Sequence, residues 1–527
     1  MKSEGIPSPA VGRQIDFFKP FAFMSLRWQS VIGWIYFVVP VMIWTACEPL
    51  GTTIHPSAPH YDARAAVATA IRQENAKPGS TEWVLTDVSL EHEIEGYASA
   101  ASVNRGEDIQ IFVNTAEPSY LIEIFRMGWY GGAGGRRVME PTIRAGKVQP
   151  KPQFDPHTRL VECDWKDPFV LHIPHSSDPT DWASGIYLAK LTGLSSGKQS
   201  YVVFVVRDDA RASDLLFQSS VTTFQAYNEW GGFSLYSKPR AYQISFDRPY
   251  GQKRGSAGEF LGIRHFEYNM LRFLEREGYD VTYTTDVDTH ARGELLLNHK
   301  AFLSVGHDEY WSWQMRDHVE SARDQGVSLG FFGANVSYFQ IRLEPSRITG
   351  APDRTIVCYK SWSLDPMSRS SDPELARRTT ILFRNFRVRR PEDAMVGVMY
   401  YHSPVHGDVV VEDASHWAFE GTGLHNGDHI QGLLGYEADR VYGNAPQGTQ
   451  RIAHSPYRSR GTAAYSDMTV WSASNAPTVF ATGSMNWNLG LDEYRAPDEP
   501  EHVPVSPAAQ QITRNVLHRF GADPKPD

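Results

Sequence analysis

The sequence has 527 residues, of which 41% are hydrophobic and 21% are charged, and 51 Lys and Arg against 61 Asp and Glu give a formal net charge of −10. This length allows roughly two to four domains with buried cores. The acidic balance and the lack of a long basic run argue against nucleic-acid binding. Aromatic residues make up 12% of the chain, which excludes a disordered or collagen-like protein, and a single long apolar run excludes a multi-pass membrane protein.

Residues 1–47 are predicted to be a signal sequence or a membrane anchor. An uncharged apolar run covers residues 31–46 and follows several cationic residues, which is typical of an export signal. The run ends at Cys47 after two small residues, which resembles a lipoprotein cleavage site with Cys47 as the lipidated residue. The alternative is a buried hydrophobic helix with a kink at Pro40. Export predicts that the rest of the chain is anchored or released at the periplasmic or extracellular face.

Residues 48–80 have mixed composition and are interpreted as a linker. From residue 81 to 209 apolar residues alternate with a period of two, which is typical of half-buried strands. This alternation is clearest at residues 108–114, 120–125, 186–191 and 201–207. Short strands without a convincing helix predict a β-sandwich domain over residues 81–209.

From about residue 213 onward, strand patterns alternate with helix patterns. Helices are predicted over residues 266–277, 313–325 and 511–520, and strands over residues 281–283, 301–305 and 327–332. Such βαβ alternation predicts a mostly parallel sheet covered by helices. We therefore predict an α/β domain over residues 213–522, with a domain boundary near residues 208–213. Beyond residue 400 the pattern returns to short strands.

Three cysteines are present, Cys47, Cys163 and Cys358. They are too few for a disulfide framework, a zinc finger or an iron–sulfur cluster. Because Cys163 and Cys358 fall in different predicted domains, we expect both to be unpaired.

Polar side chains follow two strands of the predicted sheet at the point where each strand ends. HDEY at 307–310 follows one strand, and GAN at 333–335 follows the next. Because ligands of open α/β sheets bind beyond the carboxyl ends of the strands, an imidazole, two carboxylates and an amide are predicted to converge in a metal or acid–base site. The alternative is that His307 and Glu309 only cap the following helix.

Five segments carry a resemblance to a known family: RMGWYGGAGGR at 126–136, FQAYNEWGG at 224–232, VGHDEYW at 305–311, GAN at 333–335 and GSMNWNLGLD at 483–492. As a set they resemble the large (beta) subunit of N,N-dimethylformamidase and its relatives, over about residues 80–520. The resemblance implies a catalytic domain with a doubly wound α/β sheet like that of class I glutamine amidotransferases. This expectation agrees with the βαβ pattern.

The resemblance also implies a metal centre, because the family holds a mononuclear iron through two tyrosines and one glutamate. These ligands match Tyr227 in FQAYNEWGG, Tyr268 in a further segment, HFEYNML at 265–271, and Glu309 in VGHDEYW. Two phenolates and a carboxylate are hard anionic donors that suit Fe(III). Three protein ligands leave positions open for water and substrate.

Three further active-site residues follow from the same resemblance. His307 and Asn335 match the family's histidine and asparagine, and Glu437 matches a later glutamate, for which Glu493 is the alternative. We expect these side chains to orient the substrate and to move protons.

Two functions are therefore considered. The first is an iron-dependent amidohydrolase that cleaves a C–N bond of a small amide substrate with metal-activated water; a homo-oligomer is left open, and no segment like the family's small subunit is evident. The second is a non-catalytic exported surface protein that binds a carbohydrate or polymer. Its binding surface would use exposed aromatic residues, and the candidates are Trp230, Trp311, Trp417 and Trp487.

Overall fold

The structure is a computed structural model and describes residues 70–251, 257–262, 265–459, 461–472, 477–496 and 503–525. All of these belong to one compact unit, Tyr61–Asp527. The predicted signal or anchor over residues 1–47, including Cys47, lies outside the described residues, and so does the first part of the predicted linker. None of the helices in the described part of the chain is long and apolar enough to cross a membrane.

The protein is a mixed α/β structure with many strands and few long helices. The helices are α1 (Ala70–Asn75), α2 (Val221–Tyr227), α3 (Phe266–Glu277), α4 (Asp286–Ala291), α5 (Trp313–Asp324), α6 (Pro373–Ala376), α7 (Asp393–Val396) and α8 (Pro507–Arg519). The strands of the first half are β1 (Ile94–Ala98), β2 (Ser102–Asn104), β3 (Asp108–Thr115), β4 (Ser119–Met127), β5 (Gly135–Arg137), β6 (Thr142–Ala145), β7 (Gln153–Asp155), β8 (Leu160–Glu162), β9 (Phe169–His172), β10 (Gly185–Gly193), β11 (Gln199–Arg207) and β12 (Leu215–Ser219). Those of the second half are β13 (Gln243–Ser245), β14 (Val281–Thr285), β15 (Ala301–His307), β16 (Tyr310–Ser312), β17 (Ser328–Ala334), β18 (Phe339–Glu344), β19 (Thr355–Val357), β20 (Met399–Val410), β21 (His429–Arg440), β22 (Gln450–Ser459), β23 (Thr462–Ser472) and β24 (Thr478–Ala481).

Two sheets in the first half pack face to face. One has the order β2-β11-β10-β4-β5 with β6 added on β4, and the other has the order β1-β3-β9. Residues from both sheets, such as Ile111 of β3 and Ile124 of β4, share one hydrophobic cluster. The strands predicted from the period of two are present. In β3, for example, alternate residues are buried and the others are more exposed, as the period of two predicts.

The long sheet of the second half has the order β14-β12-β15-β17-β24-β23-β22. Its first five strands are parallel, and β23 and β22 are added antiparallel. Numbered along the chain, the parallel strands run 2-1-3-4-5, an order known from doubly wound sheets. The predicted parallel sheet is thus present, while the likeness to class I glutamine amidotransferases stays a prediction. Strand β12 and helix α2 were not predicted, because five and seven residues are too short for a clear period.

The strands beyond residue 400 are longer than expected. Strands β20 and β21 have 12 residues each, and β22 and β23 have 10 and 11. The pairing of β20 with β21 shifts register at three places, and β22 with β23 shifts once. Such irregularities disturb the regular alternation of side chains between the two faces, so long strands read as short ones in the sequence.

The sandwich sheets and the long sheet contain no strand in common among the described residues, and both lie within one compact unit. A buried ion pair joins them: the two terminal guanidinium nitrogens of Arg126 on β4 donate to Glu275 on α3, at 2.7 and 2.9 Å. The domain boundary near residues 208–213 remains a prediction. Cys163 and Cys358 are buried free thiols, as predicted.

Candidate active site

The strand order of the long sheet creates one place where a ligand crevice is expected. Strand β12 pairs with β14 on one side and with β15 on the other. The chain leaves β12 toward β14, and it leaves β15 in the opposite direction, away from β12. His307 ends β15, and helix α2, which follows β12, ends at Tyr227. The polar residues that follow β15 therefore lie beside helix α2 at the carboxyl edge of the sheet.

Backbone and hydroxyl contacts hold this edge together. Thr223 of α2 accepts a hydrogen bond from the N–H of Glu309 (3.0 Å). The N–H groups of Ser337 and Tyr338, just after β17, donate to the carbonyls of Asp308 and Glu309 (2.9 Å each). The segments after β12, β15 and β17 thus meet, as the positions of the motifs predicted.

The glycines of two motifs permit this close approach. Gly306 and Gly333 are paired at the ends of β15 and β17. A side chain at Gly333 would collide with the carbonyl oxygen of Gly306. Gly306 itself has a φ of +71°, and an added Cβ would lie 2.6 Å from the Cβ of Phe266. Glycine is required here by space and by backbone conformation.

Glu309 is the centre of the polar cluster and is 2% exposed. Its Oε2 accepts hydrogen bonds from the hydroxyls of Tyr227 (2.9 Å) and Tyr236 (3.0 Å), and its Oε1 from Tyr236 (2.9 Å). The Nε2 of His307 lies 3.2 Å from Oε2. Burial alone would raise the pKa of Glu309, but His307, Lys360 and Tyr236 outweigh it and the pKa is lowered. The carboxylate is therefore charged. Glu309 does not cap the following helix, which Ser312 caps.

Tyr236 was not predicted, and it completes this cluster. Its hydroxyl lies 3.0 Å from that of Tyr227, and the two rings stack with centroids 4.3 Å apart. Tyr310 donates to the Tyr236 hydroxyl (2.6 Å), and Lys360 donates to Tyr310 (2.7 Å) while its Nζ lies 3.6 Å from the centre of the Tyr236 ring. The only signal in the sequence is that Tyr236 lies nine residues after Tyr227, just beyond the FQAYNEWGG motif.

The loop between the two tyrosines is held by a buried cation. Arg248, 1% exposed, donates to the carbonyls of Asn228 (3.0 Å), Trp230 (3.0 Å) and Phe233 (2.8 Å). Burial lowers the pKa of Arg248 to about 10, so the guanidinium remains charged at neutral pH. Three charge-assisted hydrogen bonds fix the path of the chain from Tyr227 to Tyr236.

Tyr268 does not lie in this cluster, and its prediction as a metal ligand is wrong for this structure. It is fully buried on α3, and its hydroxyl donates to the carbonyl of Gly134 (2.9 Å). Its ring packs against Trp83, Phe260 and Tyr494. The helical period of α3 directs this side chain into the core instead of toward the strand ends. Tyr236 occupies the position expected of the second tyrosine.

His307 is surrounded by three carboxylates and is 4% exposed. Its Nδ1 lies 3.4 Å from Glu259, and its Nε2 lies 3.2 Å from Glu309 and 3.8 Å from Glu437. Burial alone would lower the pKa of His307, but hydrogen bonds to Glu259 and Glu309 and the charge of Glu437 raise it to about 10. Glu437 on β21 therefore belongs to the cluster, whereas the alternative Glu493 is exposed.

Asn335 follows β17 directly and is buried, with a φ of +58° that asparagine tolerates better than most residues. Its N–H donates to both carboxylate oxygens of Asp439 (2.9 and 3.1 Å). Burial and the charge of Glu437 raise the pKa of Asp439 to about 7, although the Asn335 N–H opposes this. The side-chain oxygen of Asn335 is buried and has no hydrogen-bond partner among the described residues.

Three buried acids lie behind the cluster and tie it to the sheet. Glu267 of α3 accepts hydrogen bonds from Ser219 (2.7 Å) and from the N–H of Ser220 (2.8 Å). Asp286 accepts from the N–H of Thr222, and Asp308 from Gln218 and Ser304. Burial raises the pKa of each of the three carboxyls, and the charge of Asp308 adds to the effect at Glu267 and Asp286.

We expect Glu267→Gln to weaken the pH dependence of stability. Burial, opposed by Ser219 and Ser220, raises the pKa of Glu267 from 4.5 to about 8. The stability contributed by its bound proton is therefore full below about pH 4.5 and is lost as the pH rises through about 8, at up to about tenfold in the unfolding constant per pH unit. Glutamine stays neutral, so the free energy of unfolding in urea should fall less between about pH 5 and pH 8 than in the wild type. The exposed Glu140→Gln should keep the wild-type slope; an equal slope in Glu267→Gln would contradict the raised pKa.

The chemistry of the donors limits what this cluster could hold. No group of three or more His, Cys, Asp or Glu side chains suited to a metal ion occurs in the part of the chain that the structure describes. A metal ion at Glu309 would therefore depend on tyrosine oxygens. The oxygens of Tyr227, Tyr236 and Glu309 lie 2.9–3.0 Å from one another, close to the spacing of roughly 3 Å expected for oxygens that share a metal at about 2.0–2.2 Å.

A sandwich joined to a 2-1-3-4-5 parallel sheet, with a buried acid–histidine–tyrosine cluster at its switch point, defines an α/β protein with an enzyme-like site. The family model of the N,N-dimethylformamidase beta subunit-like C-terminal region matches residues 121–501. The chain belongs to this family, as its motifs predicted. The matched segment begins within β4, so it includes most of the larger sandwich sheet as well as the long sheet. A comparison with curated proteins finds no significant match.

Proposed function

We propose that this protein is an iron-dependent amidohydrolase that cleaves a C–N amide bond, and that Tyr227, Tyr236 and Glu309 hold a mononuclear Fe(III). The observation that carries the proposal is the convergence of two phenol oxygens and one carboxylate within 3.0 Å of one another. Phenolate and carboxylate oxygens are the donors that ferric iron prefers. Family membership supports the hydrolase class.

The iron would supply a Lewis acid that polarises the amide carbonyl and makes a water molecule more acidic. The protein residues have separate tasks in this proposal. Glu437, 6% exposed and 3.8 Å from His307, accepts a proton from the attacking water. Three carboxylates keep the ring of His307 in position. His307 gives a proton to the amine nitrogen as the C–N bond breaks. Asn335 offers its buried side-chain oxygen to a substrate N–H or to the water.

The test begins with the purified full-length protein. We expect bound iron, a phenolate-to-iron charge-transfer band and hydrolysis of simple amides such as dimethylformamide. A colourless, metal-free protein that hydrolyses no amide but binds glycans would support the second function. That function has less structural support, because Trp311 and Trp487 are fully buried, Trp230 is 7% exposed and Trp417 is half-buried, so the four side chains do not form a broad exposed aromatic surface.

Asn335→Ala should separate iron binding from turnover. Asn335 is not one of the proposed iron ligands, so iron content and the charge-transfer band should remain, while kcat/KM falls by about 10²–10³-fold, as for loss of one polar group that orients the reacting atoms. Iron analysis, absorption and amide hydrolysis measure the three quantities. The exposed Asn298→Ala is the matched control and should leave all of them unchanged. Loss of iron in Asn335→Ala would contradict the assigned role.

We also propose that residues 48–527 are exported and that the chain stays associated with the membrane. The proposal depends on the apolar run at 31–46 and the cationic residues before it. In fractionated cells we expect the protein in the membrane fraction and sensitive to protease added to spheroplasts. If Cys47 is lipidated and the chain is cleaved there, Cys47→Ser should change the mature mass, because the lipid is not attached and the preceding residues are retained. Complete protection in a soluble cytosolic fraction would contradict export.

A further inference from the structure

A cleft of about 1200 Å³ lies between the sandwich and helix α2. Leu90 and Pro152 line one wall, and Phe224 and Tyr227 of α2 line the other, with Trp230 from the turn that follows. Pockets that bury drug-sized ligands are typically about 300–1,000 Å³. The amide group of a substrate fills only a small part of such a volume, so the cleft has room for a much larger part of the ligand.

The cleft ends at the candidate active site. Tyr227 lines the cleft, and its hydroxyl is bonded to Glu309 (2.9 Å). Glu259 also lines the cleft, and its carboxylate lies 3.4 Å from the Nδ1 of His307. A molecule whose amide reaches Glu309 and His307 therefore extends along the cleft toward the sandwich.

The charges in the cleft do not select a charged ligand. Lys151 and Lys238 are balanced by Glu229 and Glu259. A further acid, Glu95, is 3% exposed and accepts hydrogen bonds from Trp230 (2.7 Å) and Asn114 (3.2 Å). Its charge is thus used inside the protein. The apolar surface toward the cleft comes from the exposed Leu90, the half-buried Pro152 and the small exposed parts of Phe224 and Trp230.

We propose that the substrate of this protein is an uncharged amide that carries an aromatic or branched apolar substituent, much larger than dimethylformamide, with the substituent held between Leu90, Pro152, Phe224 and Trp230. This proposal rests on the proposed amidohydrolase function. Burial of an aromatic group against such walls favours binding by the hydrophobic effect and ring contacts. The sandwich then forms half of the substrate site.

The experiment compares dimethylformamide with N-benzylformamide, using the full chain and the variant Leu90→Trp. Leu90 is 59% exposed and takes no part in the polar cluster. We expect kcat/KM for N-benzylformamide to exceed that for dimethylformamide by about tenfold or more. Leu90→Trp should fill the cleft and reduce kcat/KM for N-benzylformamide by about tenfold, while kcat/KM for dimethylformamide changes less than about twofold. Leu194→Trp, at another exposed leucine outside the cleft, is the matched control.

Binding separates failure of this inference from failure of the proposed function. Calorimetric titration with N-benzylacetamide needs neither iron nor turnover. If no amide is hydrolysed, but N-benzylacetamide binds and Leu90→Trp weakens its binding about tenfold, the hydrolase function fails and the ligand class stands. The inference is overturned if dimethylformamide is the better substrate and Leu90→Trp has no effect, or if N-benzylacetamide binds no better than dimethylformamide.

Discussion

Tyr236→Phe is expected to abolish iron binding and amide hydrolysis, whereas Tyr268→Phe is expected to preserve both. The Tyr236 hydroxyl lies 2.9–3.0 Å from both oxygens of Glu309 and 3.0 Å from the Tyr227 hydroxyl. Its removal would delete one of the three oxygen donors that are proposed to hold the iron, with almost no change of shape. Groups that only hydrogen-bond to metal ligands cost about 10–100-fold when removed, so loss of a ligand should reduce activity by more than about 100-fold.

The matched variant Tyr268→Phe tests the assignment made from the motifs. It removes a buried hydrogen bond to the Gly134 carbonyl, which should lower the free energy of unfolding by about 1–3 kcal/mol. Iron content, the charge-transfer band and kcat/KM are measured for both variants, with circular dichroism to establish folding. The opposite pattern, with iron lost in Tyr268→Phe and kept in Tyr236→Phe, would refute the site described above.

Arg126→Met is expected to destabilise the protein by about 3–5 kcal/mol, the range for breaking a buried ion pair. Arg126 and Glu275 are both fully buried and share two hydrogen bonds of 2.7 and 2.9 Å. Methionine fills most of the space but leaves the Glu275 carboxylate without its cation. Tyr283 (2.9 Å) and Asn75 (2.8 Å) still donate to it, but neither carries a charge. Urea unfolding of the full chain measures the loss.

A second variant separates the cost of an unpaired charge from the value of the pair. In Arg126→Met with Glu275→Leu the orphaned carboxylate is removed, and the other buried acid beside Arg126, Glu74, keeps its ion pairs with Arg136 and Lys77, so most of the lost stability should return. Arg137→Met is the control on the neighbouring strand, because its ion pair with Glu123 is partly exposed and should be worth less than about 1 kcal/mol. A double variant as unstable as Arg126→Met would show that the pair itself, and not the orphaned carboxylate, stabilises the joint between the sandwich and α3.

The elements that were predicted well are those whose own residues decide their structure. Helix α3 was predicted with its observed bounds, because its apolar residues follow a helical period and Gly278 ends it in a left-handed conformation. Strands β15 and β17 are apolar runs buried on both faces, and both were predicted. The expectation that His307, Glu309 and Asn335 lie close together followed from these two strands, because the carboxyl ends of neighbouring parallel strands lie at the same edge of the sheet.

Which tyrosine lies beside Tyr227 at Glu309 was decided by the tertiary structure alone. The sequence determined that tyrosine, glutamate and histidine lie in motifs at the ends of elements, and it determined the family. It did not determine which tyrosine reaches Glu309: Tyr268 has a motif position but faces the core from α3, while Tyr236 is brought to Glu309 by a loop whose path depends on Arg248. A loop has no period that a sequence can reveal, since its course follows from distant contacts. The same holds for the cleft, whose two walls come from segments that meet only when the sandwich packs against the long sheet.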